Sequence, residues 1–301
     1  MGYKQGSREF WRYKRSDPFT VLNQRPLKTR ISSTDRSVID LKELKRYAGL
    51  FRYLSLRDVI VRYKQTRMGF AWSILRPLIN ISIFGCLSIL IDRSASVSDK
   101  FLSVSAGVII WQLISTCVND VSNSLLNNAN ILTKVYFPKI LLPLSGLLVC
   151  LLDFFIAFVL YLLVFVFFKG LPPLSLLALP LVLAYALFSS LGLGILFATA
   201  SVKFRDVKFI IPFLLQILFY ASPVFLSSEF ILNLNLPEWA KALYQLNPFL
   251  QVVNGFKFCF YGHFESFNAL YLFGSFGISL LLFYAGLRYF LNFEKTFADH
   301  I

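Results

Sequence analysis

The chain has 301 residues, 56% hydrophobic and only 15% charged, with 33 Phe and a net charge of +14. Soluble domains carry about 25% charged residues, so this balance excludes an ordinary water-soluble protein. Seventeen of the 30 Lys and Arg precede Trp72; beside a membrane span, anionic lipid headgroups account for such an excess better than nucleic acid does, and no nucleic-acid partner is expected.

Residues 1–40 are polar, basic and turn-rich, and read as a flexible or surface-lying extension. Residues 41–71 read as an amphipathic interface helix and the entry to the membrane. Tyr47, Leu50, Phe51, Leu54 and Val61 fall on one face at helical spacing, and Asp58 interrupts that face. Asp58 also stands four residues before Arg62, a spacing at which the two can pair. Arg57, Arg62, Lys64 and Arg67 form a basic run that leads directly into apolar sequence, where a soluble partner could grip it.

Residues 72–301 read as a six-span transmembrane domain, since a span needs roughly 20 mostly apolar residues. The spans are expected near 72–92, 101–118, 140–168, 174–200, 207–226 and 269–291. The third is long, but its halves around Asp153 are each too short to cross alone, so one tilted helix is expected. Lys and Arg flanks set the orientation. Placing both ends in the cytoplasm leaves only Arg93, Lys100, Lys169, Lys241 and Lys257 outside. Residues 227–268 are too apolar for an ordinary outer loop and too broken for a span. Two short apolar segments parted at Asn247-Pro248 suggest re-entrant helices on the outer side, which protein or a water-filled cavity must cover.

Nothing in the chain carries catalytic or metal chemistry at a recognisable spacing. Cys86, Cys117, Cys150 and Cys259 form no CxxC pair and read as small buried hydrophobes. His263 and His300 stand alone. The first apolar run begins near Phe70, too late for a secretory signal. There is no GxxxxGK[ST] loop, so no ATP site of that kind is expected. Gly192, Gly194, Gly274 and Gly277 are expected at close helix contacts.

Four stretches, in order, carry a family resemblance. The first is Arg57-Asp58 with Arg62-Tyr63-Lys64-Gln65-Thr66, Gly69, Trp72 and Leu75-x-Pro77. The second is Asn130 to Pro143, NILTKVYFPKILLP, and the third is Phe204-Arg205-Asp206-Val207. The fourth is Ser222-Pro223-Val224 followed by Leu246-Asn247-Pro248. Over roughly residues 45–295 the sequence resembles the permease subunit of polysaccharide ABC exporters, which handle O-antigens, capsules and teichoic acids and belong to the ABC type-2 permeases. The resemblance implies an all-α integral membrane protein of the bacterial inner membrane, working as a homodimer with two copies of a separate ATPase. The cofactors, ATP and Mg, then belong to the partner, and the chain itself is not an enzyme. The implied substrate is a polyprenyl-diphosphate-linked glycan.

The same resemblance assigns expected roles. Asn130, Lys134, Tyr136, Phe137, Pro138 and Lys139, with Arg57 and Asp58 beside them, are the expected ATPase-docking surface, Tyr136 to Pro138 forming an apolar knob between two lysines. Arg62, Lys64, Arg67 and Arg76 lie near the inner headgroup level. They either guide the diphosphate, which Arg can hold through paired hydrogen bonds, or anchor the chain to headgroups. Arg76 stands where many relatives carry an uncharged polar residue. Asp153 is a buried charge, expected to pack and hydrogen-bond, with proton coupling in a gradient-driven transporter as the alternative. Tyr220, Phe225, Trp239, Tyr244, Phe249, Phe256, Phe260 and Tyr261 are aromatic candidates on the outer side. They form either an interfacial belt or a pore lining that stacks on sugar rings. Export of a lipid or a drug by an ABC permease is the other alternative.

Overall fold

The structure is a computed structural model that describes residues 41–64, 71–91, 96–132, 134, 137–225, 227–263 and 268–294. Among the described residues every regular element is helical. The extension expected at 1–40 lies outside them, as do Arg67 and Tyr136.

A short helix α1 (Leu41–Arg46) leads into α2 (Ala48–Lys64). Then come α3 (Ala71–Ile91), α4 (Val97–Asn127) and the single turn α5 (Ala129–Leu132). Next are α6 (Leu141–Lys169), a 3-10 turn at Leu174–Ala178 and α7 (Leu179–Lys203). The chain continues through α8 (Val207–Tyr220), α9 (Ser228–Leu232), α10 (Glu238–Gln245), α11 (Pro248–Tyr261) and α12 (Ala269–Phe293).

Among the described residues, four segments are long and apolar enough to cross a membrane: α4, α6, Leu174–Lys203 and α12. The expected first and fifth spans are apolar but shorter, at Ala71–Leu87 and Val207–Tyr220. The 14 residues of α8 rise about 21 Å, less than the roughly 30 Å hydrocarbon layer.

The second expected span was too short. α4 runs nine residues past Val118, because its polar residues are accommodated rather than breaking the helix. Asn119 faces out, Ser122 donates back to the Val118 carbonyl, and Ser124 donates to Val121 O at 2.7 Å. The third span is one unbroken helix, α6, around Asp153.

α4 is the central post and touches α3, α6, α7, α8 and α11. Its small residues permit this. A Cβ on Gly107 would stand 2.9 Å from the Val224 carbonyl oxygen, so the Ser222-Pro223-Val224 turn seats directly on α4. α6 is more peripheral. Leu148, Leu152, Phe155, Val159 and Leu163 form an outward stripe at helical spacing, all of them exposed. Each would lose roughly 1.5–3 kcal/mol if left in water; lipid is the solvent that stripe fits.

α7 and α12 meet along small and hydroxyl residues. Tyr185 OH donates to Ser275 Oγ at 2.9 Å, and Ser189 and Ser279 share a 2.9 Å hydrogen bond. A Cβ on Gly192 would meet the Phe283 backbone nitrogen at 2.8 Å, and one on Gly286 would meet the Gly192 carbonyl at 2.7 Å. Gly194 and Gly274 are similarly closed in, by Val121 and Leu246. Gly277 is a correction: it has open space around its missing side chain.

The break expected at Asn247-Pro248 is the start of α11. Asn247 Oδ1 accepts from the Phe249 backbone N–H at 3.0 Å, with Pro248 in the first turn. α11 is then buried along Phe249, Val252, Val253, Phe256 and Phe260.

Candidate functional site at the α2 junction

α2 carries apolar residues on two sides. Leu54 is buried against the bundle, with Tyr47, Leu50 and Phe51 partly buried around it. Tyr53, Leu56 and Ile60 face away and are 52–65% exposed. Val61, expected on the inner face, is exposed with them. Two apolar sides explain why the pattern reads as an imperfect amphipathic helix.

Polar side chains at two levels of α2 fasten it to the bundle. At its middle, Arg57 Nη2 donates to Asp58 Oδ1 at 2.6 Å and to Asn128 Oδ1, just past the end of α4, at 2.5 Å. Asp58 Oδ2 accepts from Ser145 Oγ, in the first turns of α6, at 3.1 Å. Near its C-terminal end, Arg62 Nη1 donates to Asp153 Oδ2 at 2.7 Å, and Nη2 donates to Asp120 Oδ2. Tyr63 OH donates to the other oxygen of Asp153, and Cys150 Sγ donates to Asp120 Oδ2 at 3.2 Å. One planar guanidinium therefore bridges a carboxylate of α4 and a carboxylate of α6, a geometry its fork of donors suits and an ammonium does not.

The electrostatics keep Arg62 charged. Burial pulls the Arg62 guanidinium down, but Asp120 and Asp153 outweigh that and hold it above its ordinary value. Burial, and then the bond to Asp153, push the Tyr63 phenol well above its usual range, so it stays a donor.

This arrangement corrects the expected Asp58–Arg62 pair. Asp58 turns toward Arg57 and Ser145, while Arg62 is taken by two carboxylates on other helices. Asp153 is partly buried and held by Arg62 and Tyr63. Lys64 and Arg76 are exposed on α2 and α3, and no ion pair involves Arg76 among the described residues.

The expected docking residues divide. Asn130 and Lys134 are exposed. Phe137 is no surface knob: it is 3% exposed and sunk in the core, with Pro138 half-buried beside it. Lys139 Nζ donates to the Glu294 carbonyl at 2.7 Å, tying the loop to the end of α12. Burial holds that ammonium below its usual range. Arg57 and Asp58 serve the internal junction.

The aromatic set divides too. Phe249, Phe256 and Phe260 are at most 3% exposed. Phe256 and Phe260 pack with Phe154, Phe158, Tyr161 and Phe165, for example Tyr161 edge-on to Phe260 at 4.8 Å, and Phe249 packs edge-on to Trp111. Enclosed within this chain, the three rings present no face at its surface. Tyr261 is tied to α4 through the Asp99 carbonyl at 3.2 Å. Phe225 packs edge-on against Phe84, and Tyr244 is half-buried. Tyr220 and Trp239 remain strongly exposed.

Sequence reasoning missed Asp120, Asn128 and Ser145. The available signal was helical register: continuing α4 past Val118 places Asp120 beside Cys117, Val121 and Ser124, all of which face inward.

The sequence model described as ABC-2 type transporter matches residues 49–261, from the second residue of α2 to the end of α11. The O-antigen export system permease protein RfbA of Myxococcus xanthus is 28% identical over 262 residues, covering 87% of this chain and 98% of its own length. A protein of the same name from Klebsiella pneumoniae is 26% identical over 248 residues, covering 81% and 91%.

Proposed function

The chain belongs to the ABC-2 type transporter family, and from that premise we propose that it is the membrane subunit of an ATP-driven exporter of lipid-linked polysaccharide, O-antigen-like in kind. The observation that carries this reading is the near full-length likeness to two O-antigen export permeases. In this reading two copies of the chain pair with two copies of an ATP-binding subunit, which supplies the ATP and Mg chemistry. The chain sits in the bacterial inner membrane with both ends in the cytoplasm. α3 and α8 complete six spans, and α10 and α11 form a re-entrant pair on the outer side.

The α2 junction gives the coupling a physical route. Asn130, Lys134 and the outward Tyr53, Leu56 and Ile60 offer the ATPase a basic and apolar surface. A push on α2 there passes through Arg62 to α4 and α6 together, because the same guanidinium holds both. Lys64, Arg67 and Arg76 are the cations left for the substrate's diphosphate. The gradient-driven alternative is not favoured, since Asp153 is engaged by Arg62 and Tyr63.

Affinity purification of the tagged chain from its own membranes tests the assignment. An ATP-hydrolysing subunit is expected in equal amount; a chain that purifies intact and carries no ATPase contradicts it.

A further inference from the structure

At the end of α6 away from α2, Gly170 at φ 80° turns the chain back, and the 3-10 turn at Leu174–Ala178 follows. The two sides of this connection differ. On the inner side Leu176 packs against the core, and Ser175 Oγ donates to the Cys259 carbonyl of α11 at 3.1 Å. On the outer side Leu171, Leu174 and Leu177 are 79–88% exposed. The 3-10 geometry puts residues three apart on one side, so Leu174 and Leu177 stand together. A cluster of large apolar side chains at a turn marks an interaction surface.

The chemistry of the partner follows from its surroundings. The sequence has no charged residue between Lys169 and Lys203, so the turn offers nothing to a charged surface. Its leucines continue the outward stripe of α6, which runs on through Leu163 and Phe167, both strongly exposed. The turn also asks little of water. Pro172 and Pro173 carry no N–H, and the Gly170 and Leu176 N–H groups donate to the Val166 and Pro173 carbonyls at 3.0 and 3.1 Å.

The level fits as well. The stripe starts at Leu148, and Phe168 stands 20 residues further along α6, a rise of about 30 Å, which is the thickness of a hydrocarbon layer. Lys169, the next residue, is paired with Asp99 of α4, as a charge at that boundary needs to be. The connection therefore begins where hydrocarbon meets headgroups, yet it stays apolar.

We propose that residues 171–178 are a lipid anchor. They lie along the boundary of the leaflet opposite α2 and insert Leu171, Leu174 and Leu177 among its acyl chains. Because Ser175 bonds α11, the anchor sets the depth of α11 in that leaflet. The proposal needs a membrane around the chain and no particular substrate.

The test is the depth of a spin label. Leu171→Cys is made in a Cys86→Ser background, since Cys117, Cys150 and Cys259 are buried. Leu174→Cys is a second site; both leucines are exposed, so little packing is lost. Glu238→Cys, whose parent side chain is 91% exposed on α10, is the comparison. The full complex is labelled in lipid discs, and collisions are measured with dissolved oxygen, which concentrates among acyl chains, and with a water-soluble nickel chelate. The oxygen-to-nickel ratio is expected to be at least fivefold higher at Leu171→Cys and Leu174→Cys than at Glu238→Cys. Equal ratios put the turn in water and overturn the proposal. So do labels shielded from both reagents, which put the turn under protein, whether a second copy or another chain. The export reading is tested separately, by surface glycan in a strain that lacks the chain, and its failure would leave these ratios unchanged.

Discussion

Arg62 donates to Asp153 at 2.7 Å, joining the last turn of the interface helix to a carboxylate twelve residues inside α6. Its second arm takes Asp120 of α4. A helix expected to lie at the surface is thereby fastened to two membrane helices through one side chain.

Removing that side chain leaves two carboxylates facing each other with no cation. Arg62→Ala is expected to destabilise the fold by about 3 kcal/mol, the low end for breaking a buried pair, because both carboxylates remain 19% exposed. Arg62→Lys should recover only part, since one ammonium cannot reach both acids in the same way. Asp153→Asn should cost less than Arg62→Ala, because Arg62 keeps Asp120. Thermal unfolding of the purified complex checks the order; equal stability of all three variants would refute the bridging role.

The seat of the Ser222-Pro223-Val224 turn depends on an absent side chain. Gly107→Ala puts a methyl group 2.9 Å from a backbone oxygen, which cannot rotate away. A loss of about 1–3 kcal/mol is expected, read as a lower melting temperature.

Two glycines that look alike in sequence should behave oppositely. Gly192→Ala forces α7 away from the Phe283 backbone and should lower stability. Gly277→Ala meets open space and should raise it by about 0.5–1 kcal/mol through helix propensity. Paired melting curves settle the contrast.

The aromatic assignments divide in the same manner. Phe256→Ala empties a fully buried site and should cost about 3–5 kcal/mol. Trp239→Ala removes an exposed ring and should stay within about 0.5 kcal/mol. A Phe256→Ala variant as stable as its parent would reopen that residue as a pore lining.

These cases mark what a sequence can carry. Apolar run length gave α6 as one helix, because Asp153 is too isolated to end it, and Asn247-Pro248 announced the start of α11. Both are local signals. The end of α4 was not legible: Asn119 and Asp120 look like the start of a loop until the partners of Asp120 are known, and those partners lie on α2 and α6. The Asp58–Arg62 spacing obeyed a local rule that two distant carboxylates overrode. Tyr220 and Phe256 are both aromatic residues in apolar stretches, and only the packing of α11 against α4, α7 and the rings of α6 hides one and leaves the other exposed.

The most direct test of the account is the location of polysaccharide in a strain deleted for this chain. Lipid-linked polymer is expected to accumulate inside the cell, and surface display should return when the intact chain is supplied together with its ATPase. Normal surface polysaccharide in the deletion strain would contradict the assignment as a polysaccharide exporter.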